Sequence, residues 1–242
     1  MSLTDMVPPN EGQHRAALRG EFKNRNLPRH LALFYENRTT QLDAVTAFIE
    51  HGLSTEHKCL YLYDISTARQ IHNALSTATV DVEHYRETGA LELCDASDVY
   101  LDSGFDPNRM IETLEAACEE SLADGYEGLY VAGENSWCFH TDHSFDHILD
   151  FEADFDAICP ELPVVALCQY DLSRFGEDSA AKALWTHEKI IYRNQICENP
   201  FYIPPGEYRA DADTPMNISL MLRQAYSLTE AKQEIGQHEQ RL

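Results

Sequence analysis

The chain has 242 residues, with 41 Asp and Glu against 18 Lys and Arg and a formal net charge of −23 at pH 7. A surface this anionic excludes nucleic-acid phosphate and an acidic membrane leaflet as direct partners of the main body, and the length implies one domain with appendages or two small ones. No stretch approaches the roughly 18 uncharged apolar residues of a membrane span, and residues 1–26 have no apolar leader core, so the chain reads as soluble, unexported and cytoplasmic.

Residues 1–27 show no sustained apolar period and contain Pro8 and Pro9, with Pro28 just beyond, which predicts a mobile or loosely docked arm. From Arg29 onward short apolar runs alternate with stretches of helical spacing. Strands are predicted at 30–35, 59–63, 90–94, 128–132 and 164–170, and helices at 41–51, 67–76, 107–122, 145–158 and 179–186. Asp106 before Pro107 fits a helix N-cap followed by proline at the first helical position. Near-continuous apolar strands imply a sheet buried on both faces, and the βα alternation implies an α/β fold, a mostly parallel sheet flanked by helices. The segment Asn199-Pro200-Phe201-Tyr202-Ile203-Pro204-Pro205 reads as a rigid aromatic loop that closes the domain.

After Pro215 a C-terminal helix is expected within residues 214–242. Met221, Leu228, Ile235 and Leu242 fall at strict seven-residue spacing, whereas the companion seam, Ile218, Ala225, Lys232 and Glu239, is weak. The pattern fits either a signalling helix that pairs with a second copy or a helix folded back on its own domain.

The cationic residues comprise 13 Arg and only 5 Lys. Scarce lysine beside abundant carboxylates resembles proteins of salt-loving microbes such as haloarchaea, where salt screens self-repulsion. The seven cysteines include no C-x-x-C pair and sit mostly in apolar runs, as small buried hydrophobes do. After the first strand, where a phosphate-binding loop would lie, the chain reads Glu36-Asn37-Arg38-Thr39-Thr40-Gln41, with neither the glycines nor the lysine of such a loop. No G-x-G-x-x-G follows any strand. Cys138, His140, His143 and His147 form the densest soft-ligand run, and His143 and His147 would share a helix face suited to a divalent metal. The same imidazoles could equally stay solvated at the head of an acidic helix.

Acidic or amide residues end nearly every strand: Asp64, Asp95, Glu134, and Gln169 with Asp171. Strand ends of a parallel sheet share the edge where ligands bind in open α/β folds. Glu134, Trp137, Gln169, Tyr170 and Asp171 are therefore expected to line one crevice, with His30 and Tyr202 as neighbours. Such a crevice suits a small neutral or cationic ligand better than a phosphate.

Several segments then acquire a common meaning. His30-Leu31-Ala32-Leu33-Phe34-Tyr35-Glu36, Phe48-Ile49-Glu50-His51-Gly52-Leu53, Gly125-Tyr126-Glu127-Gly128-Leu129, Ala132-Gly133-Glu134-Asn135-Ser136-Trp137, Leu167-Cys168-Gln169-Tyr170-Asp171, the late His187 and the Asn199–Pro205 loop resemble, in this order over residues 28–208, the MEDS domain, the methanogen/methylotroph DcmR sensory domain. The resemblance implies a RecA/KaiC-like fold without its phosphate loop. It also implies a sensory or regulatory role in signal transduction or transcription control and a small hydrocarbon-derived ligand, and the chain is accordingly expected to be non-enzymatic, to need no cofactor and to act with a signalling partner protein. The alternative is a residual nucleotide-binding or metal-assisted enzyme of the same ancestry, using Glu134 and Asp171.

Overall fold

A computed structural model of the chain describes residues 11–24, 27–101, 105–140, 145–207 and 218–239. In chain order these form α1 (Glu11–Asn24), β1 (His30–Tyr35), α2 (Arg38–Ser54), β2 (Lys58–Tyr63), α3 (Ala68–Thr77), α4 (Val82–Glu87), β3 (Leu91–Asp95), α5 (Ala96–Tyr100), α6 (Pro107–Ala123), β4 (Leu129–Glu134), α7 (Phe145–Ile158), β5 (Val164–Asp171), α8 (Glu177–Trp185), β6 (Lys189–Tyr192), β7 (Gln195–Glu198) and α9 (Ile218–Glu239). A 3-10 turn, Asn135–His140, follows β4.

Local chemistry sets the helix starts. The Asn37 side chain accepts the Thr40 N–H at α2, Thr67 and Gln70 form a reciprocal capping box at α3, and Asp106 accepts the Asn108 and Arg109 N–H groups ahead of Pro107 at α6. The strands form one seven-stranded sheet in the order β3-β2-β4-β5-β1-β6-β7, parallel throughout except for the antiparallel pair β6–β7. The five strands expected from sequence are all present, with ends displaced by at most two residues. Both faces are buried. Leu31, Leu33 and Tyr61 pack with Val45, Phe48 and Ile49 of α2, while Ala32, Phe34 and Val131 pack with Ile148, Leu149 and Phe155 of α7 and Leu184 of α8. The strand pleat, which sends successive side chains to opposite faces, divides the core in this way.

Two segments depart from the sequence reading. The expected mobile arm contains α1, whose Leu18 and Phe22 are fully buried against α2, with Phe22 edge-on to Phe48 and stacked on His51. Two apolar residues one turn apart suffice to dock it, too short a stripe to register as a sustained period; residues 1–10 lie outside the described residues. The region after residue 188 contains a hairpin, β6–β7, turned by Arg193 and Asn194, both at positive φ (50° and 59°). Such a turn has the twist a two-residue hairpin needs, but Arg-Asn lacks the glycine that usually announces it.

The first half of α9 folds back on the domain, burying Ile218, Met221, Leu222 and Ala225. Farther along, Leu228 and Ile235 are 40% and 59% exposed, so the heptad seam divides into a docked part and a free part; Leu242 lies outside the described residues. At the start of β4 the chain passes so close to the preceding residue of β5 that only glycine fits. Gly128 has φ +147°, and a Cβ there would lie 2.3 Å from the Pro163 carbonyl oxygen.

Candidate functional site

Strands β2, β4 and β5 end side by side, with Glu134 in register with Gln169. Glu134 is almost wholly buried, and its Oε2 accepts the consecutive backbone N–H groups of Asp64, Ile65 and Ser66 at 3.1, 2.7 and 3.0 Å. Its Oε1 accepts from Tyr61 Oη at 2.7 Å, from Gln41 Nε2 at 3.2 Å and from the Ser66 hydroxyl, with the Arg38 guanidinium 3.6 Å away. Burial pushes the carboxyl pKa up, but the Ser66 and Tyr61 hydrogen bonds and the Arg38 charge outweigh it and hold the group below its ordinary value. Three successive backbone N–H groups form an anion-binding concavity. Here the chain's own carboxylate fills it. Gln41 Nε2 also donates to Gln169 Oε1 at 2.8 Å, which joins α2, β4 and β5 in one buried polar knot.

The single crevice expected from sequence is divided between the two faces of the sheet. Gln169 and Tyr170 are adjacent in a strand and therefore point oppositely. Gln169 joins Glu134 beneath α2, whereas the Tyr170 hydroxyl donates to Glu152 of α7 at 2.8 Å. His30 and Tyr202 belong with Tyr170, since both bond to Asp156 of α7. Trp137 lies on that face as well, packed on Tyr100 and Phe105. Asp171 joins neither group: its Oδ1 accepts from the Ser173 N–H and hydroxyl at 2.9 and 2.6 Å in the turn after β5.

On the α7 face lies a polar cluster that the sequence reading did not assemble. His30 is 2% exposed at the start of β1, and its Nδ1 and Nε2 each lie 3.1 Å from a carboxylate oxygen, of Asp156 and Glu152 respectively. Burial lowers the His30 pKa, yet the hydrogen bonds its ring N–H groups donate to Asp156 and Glu152 more than reverse this and raise it to about 9. Glu152 also accepts from Asn135 Nδ2 at 2.7 Å; burial raises its pKa, but the His30 hydrogen bond and the histidine charges bring it down to about 2. His187, from the segment between α8 and β6, places its ring centroid 4.0 Å from that of His30. Its Nδ1 faces the Ala183 carbonyl at 2.8 Å, so that nitrogen carries the proton, and the fully buried Nε2 has no hydrogen-bond partner among the described residues. Burial, followed by the His30 charge, depresses the His187 pKa to about 4. Cys168 of β5 completes the group, with Sγ 3.4 Å from Glu152 Oε2 and 3.5 Å from His30 Nε2.

Glu152 was legible as an oddity. Ile148, Leu149 and Phe155 set the buried face of α7, and position 152 falls on that face at helical spacing. A carboxylate on an apolar stripe has to find partners inside. Cys168 carried no comparable sign, since a thiol in a strand reads as a small hydrophobe.

Beside the cluster is a cavity of about 30 Å³, walled by Met110, Trp137, Phe151 and Phe155, with Asn135, Glu152 and Cys168 as its polar lining. Among the described residues, the buried Trp137 Nε1–H has no hydrogen-bond acceptor. Space of this size holds one or two waters or a molecule of few heavy atoms.

The residues of the soft-ligand run are placed differently. His140 Nε2 lies 2.9 Å from Asp64 Oδ1, Cys138 is buried in the core, and His143 and the side chain of His147 lie outside the described residues. Among the described residues, the group whose donor atoms converge closely enough for one metal ion is His30, Glu152, Cys168 and His187.

The architecture defines an α/β domain with a mostly parallel sheet, flanking helices and a buried polar site on each face. The family described as MEDS, MEthanogen/methylotroph, DcmR Sensory domain, matches residues 29–188, and the chain belongs to this family of sensory domains. It is 26% identical over 80 residues to the transcriptional repressor DcmR of Methylorubrum extorquens; the match covers 33% of this chain and 30% of that protein. Among solved structures it is similar to the KaiC-like protein PH0186 of Pyrococcus horikoshii OT3, with a TM-score of 0.49 and 12% identity, over 67% of this chain and 69% of that one. Among the described residues, no helix is long and apolar enough to cross a membrane.

Proposed function

We propose that this chain is the sensing part of a signalling or transcription-control system, and that its input is a small hydrocarbon-derived molecule taken up in the cavity between the sheet and helices α6 and α7. The observation that carries this reading is the cavity itself. Its walls are apolar and include Trp137, whose indole N–H finds no acceptor among the described residues, and Glu152 and Cys168 form part of its lining. A compact molecule with one acceptor oxygen satisfies both features.

Family membership supports a sensory role, and the likeness to the repressor supports control of transcription as the output. The chain's match spans less than a third of that repressor's length, so the proposal extends to sensing and to a partner that acts on the signal. The output leaves through the free part of α9, where Leu228 and Ile235 continue the heptad seam toward a second copy of the chain.

The test is a panel of one- to three-carbon alcohols, aldehydes and ketones, scored by thermal unfolding of the full chain. A ligand at about a hundred times its Kd raises stability by about 2.7 kcal/mol. Gly133 borders the cavity, and a Cβ there would meet the Tyr100 hydroxyl only at 3.8 Å, so Gly133→Ala takes up cavity space without a clash. The variant is expected to fold normally and lose the ligand response. A panel with no stabilising member, or a variant that responds like the parent, would overturn the reading.

A further inference from the structure

The buried cluster on the α7 face has a chemistry that a polar core knot does not require. A tetrahedral ion with bonds of about 2.0 Å to nitrogen and oxygen and about 2.3 Å to sulfur places its donors about 3.3 to 3.5 Å apart. The separations here are 3.1 Å for His30 Nε2 to Glu152 Oε2, 3.4 Å for Cys168 Sγ to Glu152 Oε2, 3.5 Å for Cys168 Sγ to His30 Nε2 and 3.8 Å for His187 Nε2 to Glu152 Oε2. All four donor atoms lie within 4.8 Å of one another. We propose that His30, Glu152, Cys168 and His187 form a binding site for a divalent, borderline-soft metal ion of the zinc class.

Two independent features point to an ion. The first is the orphaned Nε2 of His187, a lone pair in a side chain with no solvent exposure whose other nitrogen is committed to the Ala183 carbonyl. An apolar interior leaves such an acceptor unsatisfied at a cost, and a metal bond uses it. The second is the outer shell. His30 is oriented through Nδ1 by Asp156, and Asp156 accepts in turn from Tyr202 Oη at 2.6 Å, while Glu152 Oε1 accepts from Asn135 and Tyr170. A carboxylate behind a ligating imidazole and hydrogen bonds behind a ligating carboxylate are the supports that metal ligands need.

Once bound, the set balances a divalent ion, since two neutral imidazoles with one carboxylate and one thiolate carry −2. Binding breaks the His30 Nε2–H and Cys168 Sγ–H bonds and forms four metal–ligand bonds, and the two protons pass to buffer. One thiolate and two imidazoles favour zinc-like ions over calcium or magnesium. Glu152 and Cys168 also line the cavity, so the ion would sit where a cavity ligand is felt. The site stands on its own donors and does not depend on what that ligand is.

The full chain, stripped with chelator and verified metal-free by mass spectrometry, is titrated with Co²⁺ as the probe. The expected result is one equivalent bound, with the visible absorption of four-coordinate cobalt, a thiolate-to-cobalt charge-transfer band, and displacement by Zn²⁺. Cys168→Ser should abolish the charge-transfer band. Asp156→Asn, which touches no ion, should weaken Co²⁺ by roughly 10- to 100-fold, and Cys138→Ser should leave the titration unchanged. Absence of stoichiometric binding to the folded parent overturns the proposal. So does a charge-transfer band that survives in Cys168→Ser or disappears in Cys138→Ser. His187→Gln, which removes one donor, should weaken Co²⁺ binding as well, and if it fails to fold, Cys168→Ser and Asp156→Asn still decide the matter.

Discussion

Replacing Glu134 with glutamine keeps the shape of the side chain and removes its charge, which isolates what the carboxylate does at the strand ends. The Gln oxygen can still accept the Asp64, Ile65 and Ser66 N–H groups, but three charge-assisted hydrogen bonds then become neutral ones, each losing about 1 kcal/mol. The new amide NH₂ must face the Gln41 amide and the Arg38 guanidinium, both donors, which adds about 1 kcal/mol more. Glu134→Gln is therefore expected to lower the unfolding free energy at pH 7 by about 3 to 4 kcal/mol, read by urea denaturation in high KCl. The acid limb gives a second reading. The folded pKa of Glu134 is depressed below 4.5, so its stabilisation is fully present above that value and disappears as pH falls through the folded pKa. The parent should lose this component on acidification and the variant should lack it. A loss under about 1 kcal/mol, or identical acid limbs, would refute the account of Glu134 as a charge seated in a backbone nest.

Gly128→Ala sets a methyl 2.3 Å from the Pro163 carbonyl oxygen in a backbone region closed to L residues; it should cost at least about 3 kcal/mol or prevent folding, and a melting temperature equal to the parent's would contradict the close approach of β4 to β5. With −23 of net charge, the thermal midpoint should drop as KCl is lowered from molar to about 0.1 M, and a midpoint that holds or rises would remove the argument from self-repulsion. The pair Leu228→Ser and Ile235→Ser lies on exposed positions and should change stability by only about 0.5 kcal/mol each, yet abolish self-association measured by light scattering; a parent that is already monomeric would exclude the α9 dimer.

The course of the sheet was legible because its strands are long, apolar and separated by helices, which leaves the parallel α/β arrangement as the simplest way to bury both faces. Elements fixed by few residues were not. Docking of α1 depends on Leu18 and Phe22, and the β6–β7 hairpin on two left-handed residues without glycine. At the candidate site, strand-end position correctly joined Glu134 to Gln169. The reading went wrong at Tyr170, because grouping residues by their nearness to an edge ignores the pleat that sends neighbours to opposite faces. The histidine cluster draws on β1, α7, β5 and the α8–β6 connection. No local spacing encodes an encounter between residues as far apart as 30 and 187, and it is the β1–β6 pairing, with Leu31 in register with Lys189, that brings them within reach.

Helix α1 has one further contact whose importance depends on where β7 lies. That strand is an outer edge of the sheet, and an unpaired row of backbone groups on such an edge is a template for another chain's strand. The Ile196 N–H donates to Glu21 Oε2 at 2.8 Å, so a side chain from the N-terminal helix occupies one of the bonds that an incoming strand would need. Leu18 and Phe22 of the same helix share a buried cluster with Ile196 of that strand. The segment that looks most dispensable in the sequence therefore guards the sheet against strand-by-strand growth into aggregates, and its removal would be felt in how the protein keeps its copies apart before it was felt in the sensory core.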